Sequence, residues 1–352
     1  MLLAVKNRDD WTRLRIHADD AGQRLDRFLR KLLPGCPLGL IFKFLRKGRI
    51  RVGESKARPE LRLEEGQEIC FRMGSDELSR LGLSSVVART HRAQQAGAQQ
   101  AGAWQEEAPR LGIRVVFEDE DILALDKPAG LPVHGGSGHE KDDLGLRVRA
   151  ALRHFSTGES SHTFRPGPAH RLDRETSGLI LFGKTARGLR ALSELFRQKE
   201  IQKFYLALIQ GDPGAASGRY SGTFREVVAR RRDRPKLVPD AQGTLVHLTW
   251  RRLATGATQS LVRVRLGTGK MHQIRAQFAA EGHPLVGDLR YGGGEPGLGA
   301  YAGLSPPRFL LHSSRLVFEH PFSGESMDLR IDVPEDFRSL LPRLGLDLPP
   351  DE

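Results

Sequence analysis

HRLDRETSGLILF, residues 170–182, runs a charged, turn-prone segment straight into an apolar one. Leu179, Ile180, Leu181 and Phe182 have the composition of a buried strand, and Thr176, Ser177 and Gly178 supply a turn just before it. Asp173 is therefore expected in a loop at the head of that strand, flanked by Arg171 and Arg174. Two readings of its carboxylate stand side by side. It is either one member of a salt-bridged surface turn or an ionised group held for chemistry.

Around this segment the pattern is one of strands joined by turns. Residues 113–117 and 122–125 read as strands flanking an acidic turn, and KPAGLPVHGG (127–136) must then be loop, because its prolines and glycines exclude helix and central strand. Thr185 is a candidate N-cap for a helix with Leu189, Leu192, Leu195 and Phe196 facing inwards. KFYLALI (203–209) reads as a buried strand, and the Arg-rich run at 230–236 as the tip of a long hairpin. Further strands are expected at 244–253, 259–266, 314–318 and 327–331, with a helix at 271–281 that turns Ile274 and Phe278 to the core and His272 and Arg275 away from it. Hairpin strands with a few inserted helices predict a mixed, mostly antiparallel α+β domain over 111–345.

The first part of the chain reads differently. Residues 22–33 and 38–47 each carry one apolar stripe, Leu25, Phe28, Leu29, Leu32 and Leu33 in one and Leu40, Ile41, Phe44 and Leu45 in the other, which predicts two short helices. Strands are expected at 49–53 and 66–71, so 13–73 forms a small α/β domain. Between Arg13 and Arg51 there are 11 Lys or Arg against 3 Asp, a one-sign surface that exceeds what solubility requires. Residues 74–110 turn to Ser, Ala, Gln and Gly and read as a linker.

Totals narrow the function. The chain of 352 residues carries 55 Lys plus Arg against 43 Asp plus Glu, a formal charge of +12, which points to a polyanionic partner, nucleic acid before an anionic membrane surface. No apolar run is long enough for a membrane span and the start lacks a signal-peptide core, so a cytoplasmic location is expected. Two cysteines, Cys36 and Cys70, make neither a disulfide framework nor a metal pair. His134 and His139 lie in a Gly-rich loop with no complete ligand set, so no metal is expected, and GGSG (135–138) suits a turn or a backbone approach to phosphate. GLILFGKT (178–185) satisfies the phosphate-loop pattern, but its four central residues want to be the strand itself, so no nucleotide cofactor is expected. The remaining constellation is four loops and strand ends rich in Arg, Lys, His and Tyr: 126–136, 169–178, 203–207 and 267–275.

These segments resemble a known family. HRLDRETSG resembles the signature of the RluA family of pseudouridine synthases, DKPAGLPVH its first motif, KFYLAL its Tyr-bearing strand, and LGTGKMHQIR with GHPLVGDLRYG its third motif. GQRLDRFL, the second basic helix and RIRV resemble an S4 RNA-binding domain, and HGGSG is most similar to the synthases acting on large-subunit (23S) ribosomal RNA. The resemblance implies a mixed sheet with flanking helices and a central cleft. It implies Asp173 as catalytic aspartate, Tyr205 as the ring stacked on the target base, Arg275 as the basic partner of Asp173, and Arg171 as a residue that enters the RNA. Lys127, His134, His170, Lys270, His272 and Gln273 are expected to contact RNA from these motifs, and Arg27, Arg46 and Lys47 from the small domain. The expected partner is RNA, with no cofactor, no membrane and a monomeric enzyme; the rival is a non-enzymatic RNA-binding protein on the same scaffold. Three departures stand out: Lys270 replaces the usual Arg, Gly53 a common Asn, and Val246 and Leu248 smaller or hydroxylated residues.

Overall fold

The computed structural model describes residues 11–83, 112–135, 142–152, 161–228, 235–292 and 308–348. The Gln-rich part of the expected linker, the end of the HGGSG segment with His139, and the hairpin tip at 230–234 lie outside the described residues. The chain divides into two compact units, one from the described residues of Met1–Leu111, Val148–Pro166 and Lys184–Arg187, the other from those of Gly112–Arg147, Gly167–Gly183 and Gly188–Glu352.

In the first unit, α1 (Leu25–Leu32) and α2 (Leu38–Arg46) lie where the apolar stripes predict them. Their buried residues, Leu25, Phe28, Leu29, Leu32, Ile41, Phe44 and Leu45, pack on a three-stranded antiparallel sheet ordered β1 (Thr12–Arg15), β3 (Glu68–Phe71), β2 (Ile50–Val52). The core also takes Leu78 and Leu83, on and just after α3 (Ser75–Arg80), because that stretch of the expected linker carries two well-spaced leucines. Gly53 turns the chain after β2 at φ 59°, a left-handed value that Asn also tolerates, so its substitution for Asn keeps the turn.

The second unit is built on one sheet of 11 strands. Its main path runs β10 (Lys236–Pro239), β9 (Ser217–Val227), β11 (Thr244–Thr255), β12 (Gln259–Leu266), β8 (Gln202–Gln210), β13 (Leu311–Glu319), β7 (Ser177–Gly183), β5 (Ile122–Lys127), β4 (Arg114–Glu118). β14 (Ser326–Arg330) pairs with β13, and β6 (Gly167–Pro168) with β7. Every pairing is antiparallel except β7 with β13, in agreement with the mixed α+β expectation. Helices α4 (Leu144–Leu152), α5 (Ala186–Gln198), α6 (Gln273–Ala280) and α7 (Glu335–Leu340) complete the elements. α5 starts directly after Thr185 and puts Leu192, with Leu195 and Phe196, onto the apolar layer of β5, β7, β13 and β14. α7 buries Phe337 and Leu340 against Leu206, Leu208 and Leu261 of β8 and β12.

The parallel pair is tight. Gly178 has φ 112°, and a Cβ there would fall inside the backbone of Ser313 on β13, so only glycine lets β7 approach at that point. Through that contact one row crosses four strands in register: Tyr205 of β8 opposite Ser313, Ser313 opposite Gly178, and Gly178 opposite Lys127.

Candidate active site

Asp173 sits in the loop between β6 and β7, four residues before β7 begins, in a turn closed by the Thr176 amide donating to its carbonyl at 3.1 Å. Its side chain remains 21% exposed. Arg275 of α6, 6% exposed, donates from Nη1 to Asp173 Oδ2 at 2.9 Å. The rest of that guanidinium forks onto Asp288, 1% exposed, with Nε to Oδ2 at 2.6 Å and Nη2 to Oδ1 at 2.9 Å. Burial opposes the charge on Arg275, but the two carboxylates outweigh it and lift its pKa above the ordinary value. Aromatic rings complete the cage, with the guanidinium 4.0 Å from the Phe309 ring centroid and 5.1 Å from that of Tyr291.

Tyr205 is buried beside this pair. Burial, and then the negative charge of Asp173, push its phenol well above the usual range, so the ring is neutral. His272 precedes α6 in the left-handed region at φ 56°, with Nε2 3.8 Å from Asp173 Oδ2 and Nδ1 3.2 Å from the Tyr291 hydroxyl. Burial pushes its pKa down to about 4, which leaves a neutral imidazole near neutral pH.

Three residues expected to touch RNA instead hold the loops together. Lys127 is fully buried, and its Nζ donates to the carbonyls of Pro128, Leu131 and Arg174 at 2.8–2.9 Å. It thereby ties the KPAGL loop to the loop of Asp173, assisted by Arg174 Nε donating to the Gly130 carbonyl at 2.9 Å. Desolvation lowers its pKa to about 7. Gln273 is buried with its amide donating to the His247 carbonyl and Gln277 and its oxygen accepting from Thr268 and the Lys270 amide. His170 accepts the Leu181 amide at 3.0 Å and packs on Phe196. The two-faced helix expected around Arg275 is also corrected: Gln273 through Phe278 are all buried, because Arg275, Gln273 and Gln277 find internal partners. Arg171, His134 and Lys270 are exposed. In the first unit Arg27, Arg46 and Lys47 are exposed on the helix pair.

Sequence reading missed two residues that fix the site. Asp288 lay within the quoted GHPLVGDLRYG without a role. Arg308, nearly buried, donates to the Glu175 carbonyl at 2.9 Å, the Ser177 hydroxyl at 3.1 Å and both oxygens of Asp336, and so pins the far end of the Asp173 loop.

The site therefore brings together a partly exposed carboxylate fixed by a buried arginine and a neutral tyrosine ring on a mixed sheet. The sequence model described as "RNA pseudouridylate synthase" matches residues 121–280, and a solved structure, human RNA pseudouridylate synthase domain containing 4, shares the fold with a TM-score of 0.58 at 22% identity, covering 70% of this chain and 98% of its own. Ribosomal large subunit pseudouridine synthase C of Escherichia coli K12 is 34% identical over 335 residues, 94% of this chain and 95% of its own, and that of Salmonella typhimurium LT2 is 35% identical over 327 residues, 91% and 92%. The chain belongs to the RluA family of RNA pseudouridine synthases. It is an isomerase acting on uridine in RNA. Among the described residues no helix is long and apolar enough to cross a membrane.

Proposed function

We propose that this enzyme converts specific uridines of large-subunit (23S) ribosomal RNA to pseudouridine, with Asp173 as its essential group. The observation that carries the assignment is the carboxylate of Asp173 held at 2.9 Å by an arginine whose other two nitrogens are committed to Asp288. The target class is supported by relatives that match over more than nine-tenths of the chain and are named for the ribosomal large subunit.

The reaction breaks the bond from uracil N1 to ribose C1′, rotates the base and rejoins it to C1′ through C5, after which C5 loses its proton. Asp173 serves either as nucleophile at C1′ or as base at C2′; both routes need the same ionised carboxylate. Arg275 aims it, through the Nη1 contact at 2.9 Å. Tyr205 offers a neutral ring face to the uracil, a stacking worth ~1–3 kcal/mol, and excludes water. The nucleotide must leave its stack, which costs a few kcal/mol, and exposed Arg171 enters the RNA to hold it out. Lys270, exposed where an arginine is usual, supplies a point charge to phosphate, and His134 and His272 stand at the RNA-facing edge.

Residues 13–73, with 75–83 packed into the same core, act as an S4-like RNA-binding domain, the rest of 74–110 as a linker and 111–345 as the catalytic domain. The protein works as a monomer in the cytoplasm without a cofactor. The test is to map pseudouridines across large-subunit ribosomal RNA in cells with and without this gene. One or a few positions should revert to uridine; an unchanged map alongside turnover on another RNA would remove the ribosomal assignment.

A further inference from the structure

The catalytic sheet has a second basic face, on the side away from Tyr205. In the pairing of β8 with β12, Tyr205 lies opposite Val264 and Phe204 opposite Arg265. Neighbours along a strand project to opposite sides, so Arg265 points away from the face that carries Tyr205. Arg265 is opposite Thr249 of β11, and Thr249 is opposite Arg219 of β9, which makes one row across three strands. The next row on the same face places Arg251 of β11 opposite Ser217 of β9. Burial follows this alternation: Ser217, Arg219, Ser221, Thr249, Arg251 and Arg265 are exposed, while Val246, Leu248, Trp250 and Val264 on the other side are buried.

Arg219 and Arg265 flank the same threonine, two strand spacings or ~10 Å apart, and Arg251 sits diagonally between them. Like charges so placed repel, which destabilises a sheet unless something compensates. Among the described residues none of the three arginines forms an ion pair, and no aspartate or glutamate of β8, β9, β11 or β12 projects from this face beside them. Two other arginines of these strands are compensated, Arg225 further along the same face of β9 by Asp240 and Arg252 by Asp212, so the uncompensated charge is confined to the patch of Arg219, Arg251 and Arg265.

We propose that Arg219, Arg251 and Arg265, with the hydroxyls of Ser217, Ser221 and Thr249 between them, form a second RNA-backbone site on the back of the catalytic sheet. The inference rests on the reading of this protein as an enzyme that acts on a large RNA, and it deepens that reading. A site facing away from Asp173 holds phosphates remote from the target uridine, so it serves folded RNA long enough to wrap the sheet edge. Arginine forks fit phosphate oxygens in pairs, and hydroxyls add donors for phosphate and ribose oxygens without reading sequence.

The test combines Arg219→Ser, Arg251→Ser and Arg265→Ser in the full chain, beside a second variant with lysine at all three positions. Binding is measured at several salt concentrations on a long, folded large-subunit ribosomal RNA fragment and on a short stem–loop holding the target uridine, with turnover on the stem–loop. On the long RNA the serine variant should bind at least about tenfold more weakly and lose ~2–3 from the slope of log affinity against log salt. On the short RNA its binding and kcat should match the unaltered enzyme, and the lysine variant should keep most of the salt slope on the long RNA. Unchanged affinity and slope on the long RNA for the serine variant would overturn the proposal, and would leave an acidic protein as the occupant. An equal loss on both RNAs would also overturn it, since the arginines would then act at the reaction site or through the fold. If the unaltered enzyme converted no uridine, the catalytic reading would fail separately, while the binding difference would still be read.

Discussion

Asp288 grips the guanidinium of Arg275 with both carboxylate oxygens, at 2.6 and 2.9 Å, from a position that solvent does not reach. The carboxylate also accepts the amides of Arg290 at 3.1 Å and Tyr291 at 3.3 Å, so the clamp is tied to backbone. Arg275 therefore has one orientation in which Nη1 is left for Asp173.

Replacing Asp288 by asparagine removes the charge behind this clamp while keeping its shape. Weakening a charge-assisted hydrogen bond worth ~1.5–3 kcal/mol should lower kcat roughly 10- to 100-fold, with KM for RNA little changed, because Asp288 itself does not meet the substrate. Steady-state kinetics on a minimal RNA would show it. A rise in KM at constant kcat would mean that Arg275 binds RNA and does not orient Asp173.

Lys127 is expected to matter for the fold of the site and not for RNA affinity. Lys127→Met leaves the buried carbonyls of Pro128, Leu131 and Arg174 without their donor, a penalty of ~1–3 kcal/mol per unsatisfied group, partly offset by removing a buried charge. Thermal unfolding should shift down by several degrees and kcat should fall as the Asp173 loop loosens. Unaltered Tm and kcat would contradict this.

Stability should fall on mild acidification. Burial, aided by Lys203, Arg275 or Arg308, pushes His170 to about 3, His272 to about 4 and His312 to about 3, while an unfolded histidine titrates near ~6.5. Between those values the unfolded chain binds more protons, so stability is complete above pH ~6.5 and drops below it, by up to ~1.4 kcal/mol per pH unit for each histidine. Lys127, lowered to about 7, begins to lose its proton in the folded protein only at the top of this range and adds a smaller change of the same sign, since the unfolded lysine stays protonated. Urea unfolding at pH 7 and pH 5.5 checks the sign. A flat profile would refute it, and His312→Asn should reduce the slope.

Neutralising Arg27, Arg46 and Lys47 together should weaken RNA binding and cut the salt slope by ~2–3, since each is exposed on the basic helix pair. Binding that stays constant across salt concentrations would remove the RNA-contacting role given to residues 13–73.

Much of this was legible in the chain. The apolar stripes around Phe28 and Phe44, the strands 203–209 and 259–266, and Asp173 at a strand head all follow from local pattern. What local pattern does not carry is whether a polar residue is satisfied inside. Lys127, Gln273 and Arg275 look like surface residues by type, yet each is buried because carbonyls or carboxylates from distant segments meet it. Asp288 failed to register for the same reason, since its partner lies 13 residues away across a turn. The parallel contact of β7 with β13 joins segments on either side of most of the domain, and only the strain at Gly178 betrays it.

The central claim is that the carboxylate of Asp173 carries the chemistry. Pseudouridine formation by purified Asp173→Asn on large-subunit ribosomal RNA, with CD and RNA affinity confirming an intact protein, tests it directly. The account predicts no detectable product with RNA binding retained. Turnover close to that of the unaltered enzyme would contradict it.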